Sequence, residues 1–541
     1  MSISYDSNGT RATERIDVPM RAFAGGYYTN LMAMYKHLDI PFKDQKFLFT
    51  FSKTGCENSD SALNGNGNRT PNGYIKEKSA SRIKKGDEAP YFIHSSNNHR
   101  FPPVKPAGQS WLQYLTEVSY LWFVYTYFIV CCFFFPPHQR TFSARSSATS
   151  GSTDKTESLR EYIKRIHLPQ YFVENYLLAL ISSVTTCPHR TLLDFPASDV
   201  TGYKKRVHKQ PHYVVQGGVC QIQERLLKGI KIGMGRKVVK VERILGKSAA
   251  ECGLRLFWEE INLLDTGISS RHRKDFHHVV LAVNPYAVGK IYSALAKQMS
   301  RIPCCEAEVV VHYDERVIED VLDPSEKIVP PPSSLNEKQI TPSSLQPSGK
   351  LGGLLSRVQQ LVGNTDAHVI QLRTSASSTT MVFNNSPSQW TLLNNQGKKS
   401  PPSLVTESTH IHPPGVLLTT SSIYPLKQDK VLGSSRFVRV LRTPESRDVV
   451  ECLFRDKGVR VKKGYVDDGD EKSGAAGDTG SGADRQSGEQ EWRNGDDGVC
   501  LVGGWCWDGM VLLEGCVRSA VRVARELGVE VPWEVPEGSE C

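Results

Sequence analysis

Apolar and polar positions follow two periods along the chain, one of about four residues and one of two. Apolar residues recur at helical spacing over residues 30–38 and predict a helix. Pro41 predicts its end, because a residue that precedes proline is driven out of the helical region. Residues 46–52 are rich in aromatic side chains and predict a strand. The N-terminal part therefore combines helix and strand.

The same patterns continue through the middle of the chain. Ser158 with Glu161 three residues later is a capping-box pattern, which predicts the start of a helix. Further helices are predicted at 171–185, 221–228 and 285–299, and strands at 211–215, 237–244, 254–259, 276–283 and 307–313. A last strand and helix are predicted within residues 499–531. Helices and strands that alternate in this way are typical of an α/β protein.

Five stretches break these patterns. They are rich in Gly, Ser, Pro and Asn, a composition typical of exposed insertions or loops. These stretches are residues 54–110, 139–156, 321–350, 373–413 and 464–497.

One apolar run raises the question of a membrane. Residues 120–135 carry no charge, and extending the run back to 112 adds apolar residues together with Glu117. A helix that spans a bilayer needs about 20 apolar residues. The run 112–135 is therefore interpreted either as a buried core element or as a segment that contacts or enters a membrane.

Composition narrows the class of protein. Of 541 residues, 39% are hydrophobic, below the ~45–50% of globular domains, which agrees with polar insertions in a folded chain. The net charge of +9 is not gathered into a basic run, so no nucleic-acid partner is predicted. Thirteen cysteines without a CxxC pair indicate free thiols in a reducing compartment. The N-terminus has no apolar signal region, so the predicted location is cytoplasmic or membrane-associated, not secreted.

Residues 500–527 carry the strongest chemical signal. An apolar strand leads into Gly503-Gly504, a turn follows through Trp507 and Asp508, and a helix begins near Leu513. Glycines allow a ligand to approach the backbone, and a helix N-terminus favours negative charge. The pattern therefore predicts a site for an anionic group.

This stretch resembles the C-terminal flavin-binding signature of flavin-containing amine oxidases. In that family the strand, turn and helix lie against the flavin ring and pyrophosphate of FAD. The resemblance implies that six residues here have cofactor-side positions: Gly503, Gly504, Trp507, Asp508, Glu514 and Gly515.

Four other segments resemble the same family, in the family's order along the chain. Residues 15–42 are similar to a segment that passes close to the cofactor, and Gly217-Gly218 are similar to the glycine pair that starts a helix beside it. Val239 matches a valine whose backbone meets the adenine. The strand at 278–283 resembles a further strand of the cofactor domain.

The chain departs from the family in its phosphate-binding unit. The family begins with a strand, a GxGxxG turn and a helix, and this sequence has no such unit. The nearest approach, residues 65–70, lacks the third glycine and has no strand before it. The expectation is a chain that lacks the N-terminal unit, through truncation or degeneration.

The predicted fold is an α/β, Rossmann-like FAD/NAD(P)-binding domain without that unit, joined to a mixed α+β substrate domain. The predicted parts are a partial FAD-binding segment (15–53), a low-complexity insertion (54–110), the hydrophobic segment (111–138), substrate- and cofactor-domain segments (158–318), polar insertions (321–413), a substrate-domain segment (415–460), a disordered loop (464–497) and the C-terminal FAD-binding segment (498–533).

The resemblance implies an FAD-dependent oxidoreductase that oxidises an amine or an apolar small molecule by hydride transfer to flavin. The alternative is a non-enzymatic, membrane-associated protein that keeps a degenerate flavoprotein scaffold. No catalytic residue is assigned, because flavin itself carries the hydride chemistry. His312 and Asp314 are considered as catalytic groups, but they lie on or after a predicted strand and are more typical of ordinary surface or core residues. No metal is predicted, since His189, His208 and His212 have no carboxylate at ligand spacing.

Overall fold

The computed structural model describes fifteen stretches of the chain. These are residues 2–7, 10–19, 21–53, 90–95, 103–139, 156–244, 246, 252–261, 268–318, 354, 368–377, 382–383, 403–412, 415–454 and 492–534. The parts of the predicted insertions that fall between these stretches lie outside the described residues. They include the glycine-rich residues 65–70.

The described elements mix strands and helices, as the sequence predicted. The strands are β1 (Ser2–Ser7), β2 (Thr10–Arg15), β3 (Ala22–Ala24), β4 (Phe42–Asp44), β5 (Phe47–Lys53), β6 (Pro90–Ser95), β7 (His212–Val215), β8 (Arg236–Arg243), β9 (Leu254–Ile261), β10 (Ile268–Phe276), β11 (Val279–Leu281), β12 (Cys304–His312), β13 (His368–Ser377), β14 (Val382–Phe383), β15 (Ser403–Ile411), β16 (Leu417–Thr420), β17 (Val431–Val440) and β18 (Val499–Leu501). The helices are α1 (Thr29–His37), α2 (Trp111–Phe134), α3 (Leu159–Arg165), α4 (Gln170–Phe172), α5 (Leu178–Thr185), α6 (His189–Leu193), α7 (Ala197–Val207), α8 (Cys220–Leu226), α9 (Pro285–Ile291), α10 (Ala296–Met299), α11 (Pro444–Phe454) and α12 (Leu513–Glu526).

A large mixed sheet forms the centre of one half of the fold. Its strands follow the order β14-β12-β16-β15-β13-β5-β6, and β17 also pairs with β12. The β13–β5 pair is parallel, and the other pairs are antiparallel. One face of this sheet packs against helices α2 to α7 in the largest apolar cluster, in which Phe47, Ile370 and Leu372 are sheet residues.

Outside the large sheet lie two three-stranded sheets, a parallel pair of strands and the antiparallel pair β1–β2. The strands β3, β7 and β4 form one antiparallel sheet, and β10, β9 and β8 form another. The pair β11–β18 is parallel, with Val279 beside Val499. A parallel pair of apolar strands is typical of α/β folds. The two strands lie within the segments 278–283 and 498–533, which were both predicted to belong to the cofactor domain.

The apolar run at 112–135 is a helix. Ser110 and Gln113 form a capping box at the start of α2. One face of α2 is buried through Tyr114, Val118, Leu121, Phe128, Cys131 and Cys132. Among the described residues, α2 is the one helix long and apolar enough to cross a membrane, on length and composition alone.

Several helices predicted from the pattern are present with changed bounds. Ser158 and Glu161 form the predicted capping box at the start of α3. The helix predicted over 171–185 contains a π-helical turn, Val173–Leu177, between α4 and α5. The helix predicted over 285–299 is divided by a 3-10 turn, Ser293–Leu295, into α9 and α10. The strand predicted over 276–283 is two strands, because β10 ends at Phe276 and β11 begins at Val279.

The ranges 54–110 and 321–413, which were predicted as insertions, contain four described strands. β6 lies within the first range, and β13, β14 and β15 lie within the second. β13 and β15 pair with each other inside the large sheet. Their many Thr and Ser residues gave them a polar composition, but their hydroxyl groups bond across the sheet, as in Thr374 to Thr406 at 3.1 Å.

An ion pair is buried within these two strands. Arg373 and Glu407 lie opposite each other in the β13–β15 register and are 3% and 1% exposed. Arg373 Nε donates to Glu407 Oε1 at 3.0 Å, and the Ile423 N–H donates to Glu407 Oε2 at 2.8 Å. The Tyr424 ring lies beneath the guanidinium, 5.6 Å away. Each charge is therefore compensated inside the protein.

We expect Glu407→Leu to lower the free energy of unfolding by about 3–5 kcal/mol, because it leaves the Arg373 guanidinium buried without its counter-charge. The double variant Arg373→Met/Glu407→Leu should recover most of that loss, since it removes both charges. Urea unfolding followed by tryptophan fluorescence measures both effects.

The exposed pair Arg436–Glu308 is the control, with side chains 72% and 43% exposed. Glu308→Gln should change the free energy of unfolding by less than about 1 kcal/mol, as exposed ion pairs do. Equal losses at Glu407 and Glu308, or additive losses in the double variant, would contradict the assignment.

Candidate cofactor site

The glycine turn after β18 is packed closely against the start of α12. Gly503 has a φ of +154°, and its N–H donates to Ser519 Oγ at 3.0 Å. A Cβ on Gly504 would lie 2.9 Å from the Leu512 carbonyl oxygen, which belongs to the backbone and cannot easily move. The turn therefore needs glycine for its own packing.

Trp507 fills the space beside this turn. Its side chain is 1% exposed, and its Nε1 donates to the Met510 carbonyl oxygen at 3.1 Å. A Cβ on Gly515 would lie 2.2 Å from the indole, so the ring rests directly on the first turn of α12. The Arg518 guanidinium lies 4.9 Å from the Trp507 ring, at cation–π distance. Two of the predicted cofactor-side residues thus contact each other.

Glu514 is buried and joins the two ends of the described chain. Its Oε1 accepts from the Asn30 N–H at 3.1 Å and from Asn30 Nδ2 at 2.7 Å. Its Oε2 accepts from the Leu31 N–H at 3.1 Å, and Thr29 Oγ1 donates to Oε1 at 3.4 Å. Helix N-termini leave N–H groups without partners, and here a carboxylate from a distant helix satisfies them. In this geometry Glu514 contacts α1.

The structure brings three of the five resembling segments together. One apolar cluster contains Phe23 and Leu31 from the first, Ile222 from the second, and Trp507 and Val517 from the C-terminal one. Segments separated by hundreds of residues therefore form a single junction, which we call the Trp507 junction. The Trp507 junction consists of the apolar cluster around Trp507, α1, β7, α8 and the start of α12.

The glycine pair lies at this junction. Gly217 and Gly218 have φ values of +74° and +83° and connect β7 to α8. The Val219 N–H that follows donates to Asp17 Oδ1 at 3.1 Å. These positive φ angles are why glycine is required there.

Val239 lies outside the Trp507 junction. It is half-buried in β8, where the register with β9 shifts between Val238 and Lys240. The neighbouring Val241 packs in a second apolar cluster with β11, β18 and Trp505. Val239 itself belongs to neither apolar cluster, so the structure does not bring it together with the other predicted cofactor residues.

A charged group that the sequence did not predict lies next to the turn. Arg442 is 2% exposed and donates from Nη2 to the Trp507 carbonyl oxygen at 2.6 Å. Its Nε lies 3.4 Å from Asp199 Oδ2, and Asp199 is equally buried. Arg447 pairs with Asp508 at 2.8 Å. Burial raises the pKa of Asp199, in opposition to the two arginines, which lower it.

A cavity of about 210 Å³ opens on this charged group. Its lining includes Tyr27, Tyr203, Arg206, Arg447 and Asp508. Sites that enclose a ligand are typically ~300–1,000 Å³, so the cavity is too small to enclose a whole FAD. The face of Gly504 and Gly515 is also filled by protein atoms. The described residues thus do not form a complete FAD cradle, and we derive no catalytic step through flavin.

The weak catalytic candidates of the sequence are structural. His312 is fully buried, and its Nε2 is 2.8 Å from Thr419 Oγ1. Burial lowers the pKa of His312 to about 4, so its ring is neutral at pH 7. Asp314 accepts two bonds from Arg316 Nε, and this partner lowers the pKa of Asp314. His312 thus bonds to a neighbouring strand of the large sheet, and Asp314 bonds to Arg316 in the segment that follows β12.

Comparison with known proteins gives a distant structural likeness. No family model and no curated protein matches the chain. Among solved structures it is similar to a cyclohexylamine oxidase from Brevibacterium oxydans IH-35A, at 10% identity over 94% of this chain and 87% of that chain, with a TM-score of 0.39. It is also similar to a triple mutant and a double mutant of putrescine oxidase, both redesigned in cofactor binding.

For the triple mutant the identity is 9% and the TM-score 0.41, and for the double mutant 8% and 0.40; each match covers 97% of this chain and 90% of the other. A likeness at this level carries no inference about the chemistry of this chain.

We expect Glu514→Gln to lower the free energy of unfolding by about 2–4 kcal/mol, because an amide cannot accept all the bonds that the carboxylate now accepts. Hydrogen exchange provides a local measurement. The amides of Asn30 and Leu31 should lose protection more than those of the large sheet.

Ala520→Gln is the matched control, since Ala520 is an exposed residue of the same helix. It should change the free energy of unfolding by less than about 0.5 kcal/mol, like most surface substitutions. Unchanged protection of Asn30 and Leu31 in Glu514→Gln would show that the carboxylate does not hold α1.

Proposed function

We propose that this chain is a flavin-dependent oxidoreductase of the amine-oxidase type, with FAD as its cofactor and an amine or apolar small molecule as its substrate. The observation that carries the proposal is the Trp507 junction. Three segments, each similar to a cofactor-side segment of that family, lie far apart in sequence and meet in one apolar cluster. Chance resemblance of three short segments would not require them to be neighbours.

The parallel pair β11–β18 gives further support. Its second strand runs directly into the glycine turn at Gly503, the position at which α/β folds bind ligands beyond the carboxyl ends of their strands. Of the two arginines that line the cavity beside the turn, Arg447 is paired with Asp508, whereas Arg206 is exposed, and its charge suits the pyrophosphate of a dinucleotide. FAD would extend beyond this cavity, because its volume is below that of an enclosing site.

The first test is retention of FAD by the full chain. The purified protein is incubated with FAD and freed of unbound flavin by gel filtration, and its visible spectrum is recorded. We expect flavin absorption to co-elute with the protein at close to one FAD per chain. A folded protein that elutes without flavin would contradict the proposal.

A pair of variants places the bound flavin. Arg206 lines the cavity and is exposed, so Arg206→Ala should weaken FAD binding by about tenfold, the effect of losing ~1.4 kcal/mol of charge-assisted contact. Lys164→Ala removes an exposed charge outside the cavity lining and should leave binding unchanged. Equal affinities in both variants would place FAD elsewhere.

A second function, contact with a membrane, is favoured by the outer face of α2. Trp122, Phe123 and Phe134 are 54%, 66% and 75% exposed on this helix. Apolar and aromatic side chains in one exposed strip are typical of helices that lie in a bilayer interface. The opposite face of α2 is packed on the protein, so we propose a helix that lies on the membrane surface instead of spanning it.

Basic residues next to this face match an anionic lipid surface. The basic helix α7 packs against α2, and its Lys204 Nζ bonds Tyr125 Oη. Lys205 and Arg206 follow on the same helix. Positive charge beside an apolar strip adds electrostatic attraction to anionic headgroups. The proposed location of the chain is therefore at a membrane surface, with the cytoplasm as its alternative.

Vesicle co-sedimentation of the full chain tests this contact. We expect binding to vesicles of phosphatidylcholine with phosphatidylserine that exceeds binding to phosphatidylcholine alone and falls at high salt. Trp122→Ser/Phe123→Ser should reduce it at least about tenfold, because burying two aromatic side chains contributes several kcal/mol.

The control replaces two exposed apolar residues away from α2, as Ile230→Ser/Met234→Ser. These residues are 59% and 85% exposed. The control should bind vesicles like the unmodified chain. No sedimentation with either vesicle, or the same loss in both double variants, would exclude α2 as a membrane contact.

A further inference from the structure

We propose that His368, His410 and His412 form a binding site for a transition-metal ion of the Zn²⁺ type. This site is independent of the proposed flavin function and lies in the large sheet. One ring nitrogen from each histidine lies within 4.8 Å of the other two. His189, His208 and His212, for which the sequence predicted no metal, lie outside this cluster.

The strand geometry explains why these three rings meet. Residues two apart in a strand point to the same face, so His410 and His412 at the end of β15 lie side by side, with ring centroids 4.1 Å apart. β13 runs antiparallel to β15 with Val369 opposite Ile411. The register therefore places His368 opposite His412, with ring centroids 5.0 Å apart.

The site is held in a largely buried position. His410 and His412 are 4% and 8% exposed, and His368 is half-buried. The Phe47 ring lies 6.0 Å from the His368 ring and 6.2 Å from the His410 ring, on an adjacent strand. Because the rings lie on paired strands and beside an apolar neighbour, the three histidines are held close together.

Protein contacts leave part of this polar group unsatisfied. His368 Nδ1 and His410 Nε2 are 2.8 Å apart and form one hydrogen bond, in which one ring nitrogen donates and the other accepts. His412 Nε2 is buried without a hydrogen-bond partner. Buried polar atoms without partners are rare in native proteins and are a reason to look for an ion or another ligand.

The ligand set selects the class of ion. Neutral imidazoles bind Zn²⁺, Cu²⁺, Ni²⁺ and Fe²⁺, whereas Mg²⁺ and Ca²⁺ prefer oxygen. At Zn–N distances of ~2.0–2.1 Å, tetrahedral geometry requires ligand nitrogens about 3.3–3.4 Å apart. The His368–His410 pair must open by about half an ångström, and the third ring must approach.

Three histidines leave one position of a four-coordinate ion open. His368 is the most exposed of the three histidines. Three protein ligands with a water or small molecule in the fourth position is the arrangement found in catalytic zinc sites, whereas structural sites have four. We therefore infer that the fourth ligand would be water, entering from the side of His368.

The test is metal binding by the full chain after removal of metal with a chelator. Titration with Zn²⁺, followed by calorimetry, should show one site per chain, and Co²⁺ in its place should give the visible absorption of a tetrahedral nitrogen site. His412→Gln and His368→Gln should weaken Zn²⁺ binding by at least the ~10–100-fold that changes outside the first ligand shell cause.

His278→Gln is the matched control, because His278 is an exposed histidine outside the cluster. It should bind Zn²⁺ like the unmodified chain. Unchanged affinity in the cluster variants, or equal losses in the control, would overturn the proposal. So would failure of the unmodified chain to bind about one Zn²⁺.

A second measurement needs no variant and remains decisive if the variants fail to fold. Zinc K-edge X-ray absorption on the loaded, unmodified chain should show three imidazole nitrogens at about 2.0–2.1 Å. Sulfur ligands at about 2.3 Å, or fewer than two imidazoles, would place the zinc on cysteines or on scattered surface histidines and overturn the proposal.

Discussion

The described fold depends on one buried carboxylate. Glu514 accepts bonds from Thr29, Asn30 and Leu31 and is 1% exposed. An isolated carboxylate at such depth would be strongly unfavourable, and a helix N-terminus buried without acceptors would be unfavourable as well. Each group removes the cost of the other. Through this contact the N-terminal helix α1 and the C-terminal helix α12 become one structural unit, and the Trp507 junction forms around it.

Close packing at the start of α12 also explains the glycines of the C-terminal motif. Glycines in a strand–turn–helix motif are usually explained by the approach of a ligand. Here Gly504 and Gly515 admit the Leu512 carbonyl and the Trp507 ring instead. The motif therefore has a complete structural explanation within the protein. Flavin binding at this place would add to that packing on the side of Arg206 and Arg447, where the cavity lies.

Local sequence pattern predicted the elements whose burial is one-sided and apolar. α1, β5, the β7–glycine–α8 unit and the strand–turn–helix at the C-terminus all lie close to their predicted positions, because each buries an apolar stripe at regular spacing. In α12 the buried residues include Val517, Val521 and Val523, whereas Ala520 is exposed.

The remainder depends on contacts that a linear pattern does not contain. β13 and β15 are polar in composition, and only their pairing supplies partners for Thr374, Thr406 and the Arg373–Glu407 pair. Asp199 meets Arg442 across more than two hundred residues of sequence. In the histidine cluster, the spacing of His410 and His412 is visible in the sequence. The third member, His368, begins β13, whose polar composition did not predict a strand.

The parallel pairing of β5 with β13 has a consequence for how the chain folds as it leaves the ribosome. Residues 47–53 are made early, but their neighbour in the sheet is residues 368–374. Long-range parallel pairing of this kind is slow, and an unpaired aromatic strand edge is prone to aggregate while it waits. The antiparallel partner β6 can cover one edge of β5 soon after synthesis. The other edge of β5 stays unpaired until residues 368–374 have been synthesised. During that interval a chaperone would protect the nascent chain from aggregation.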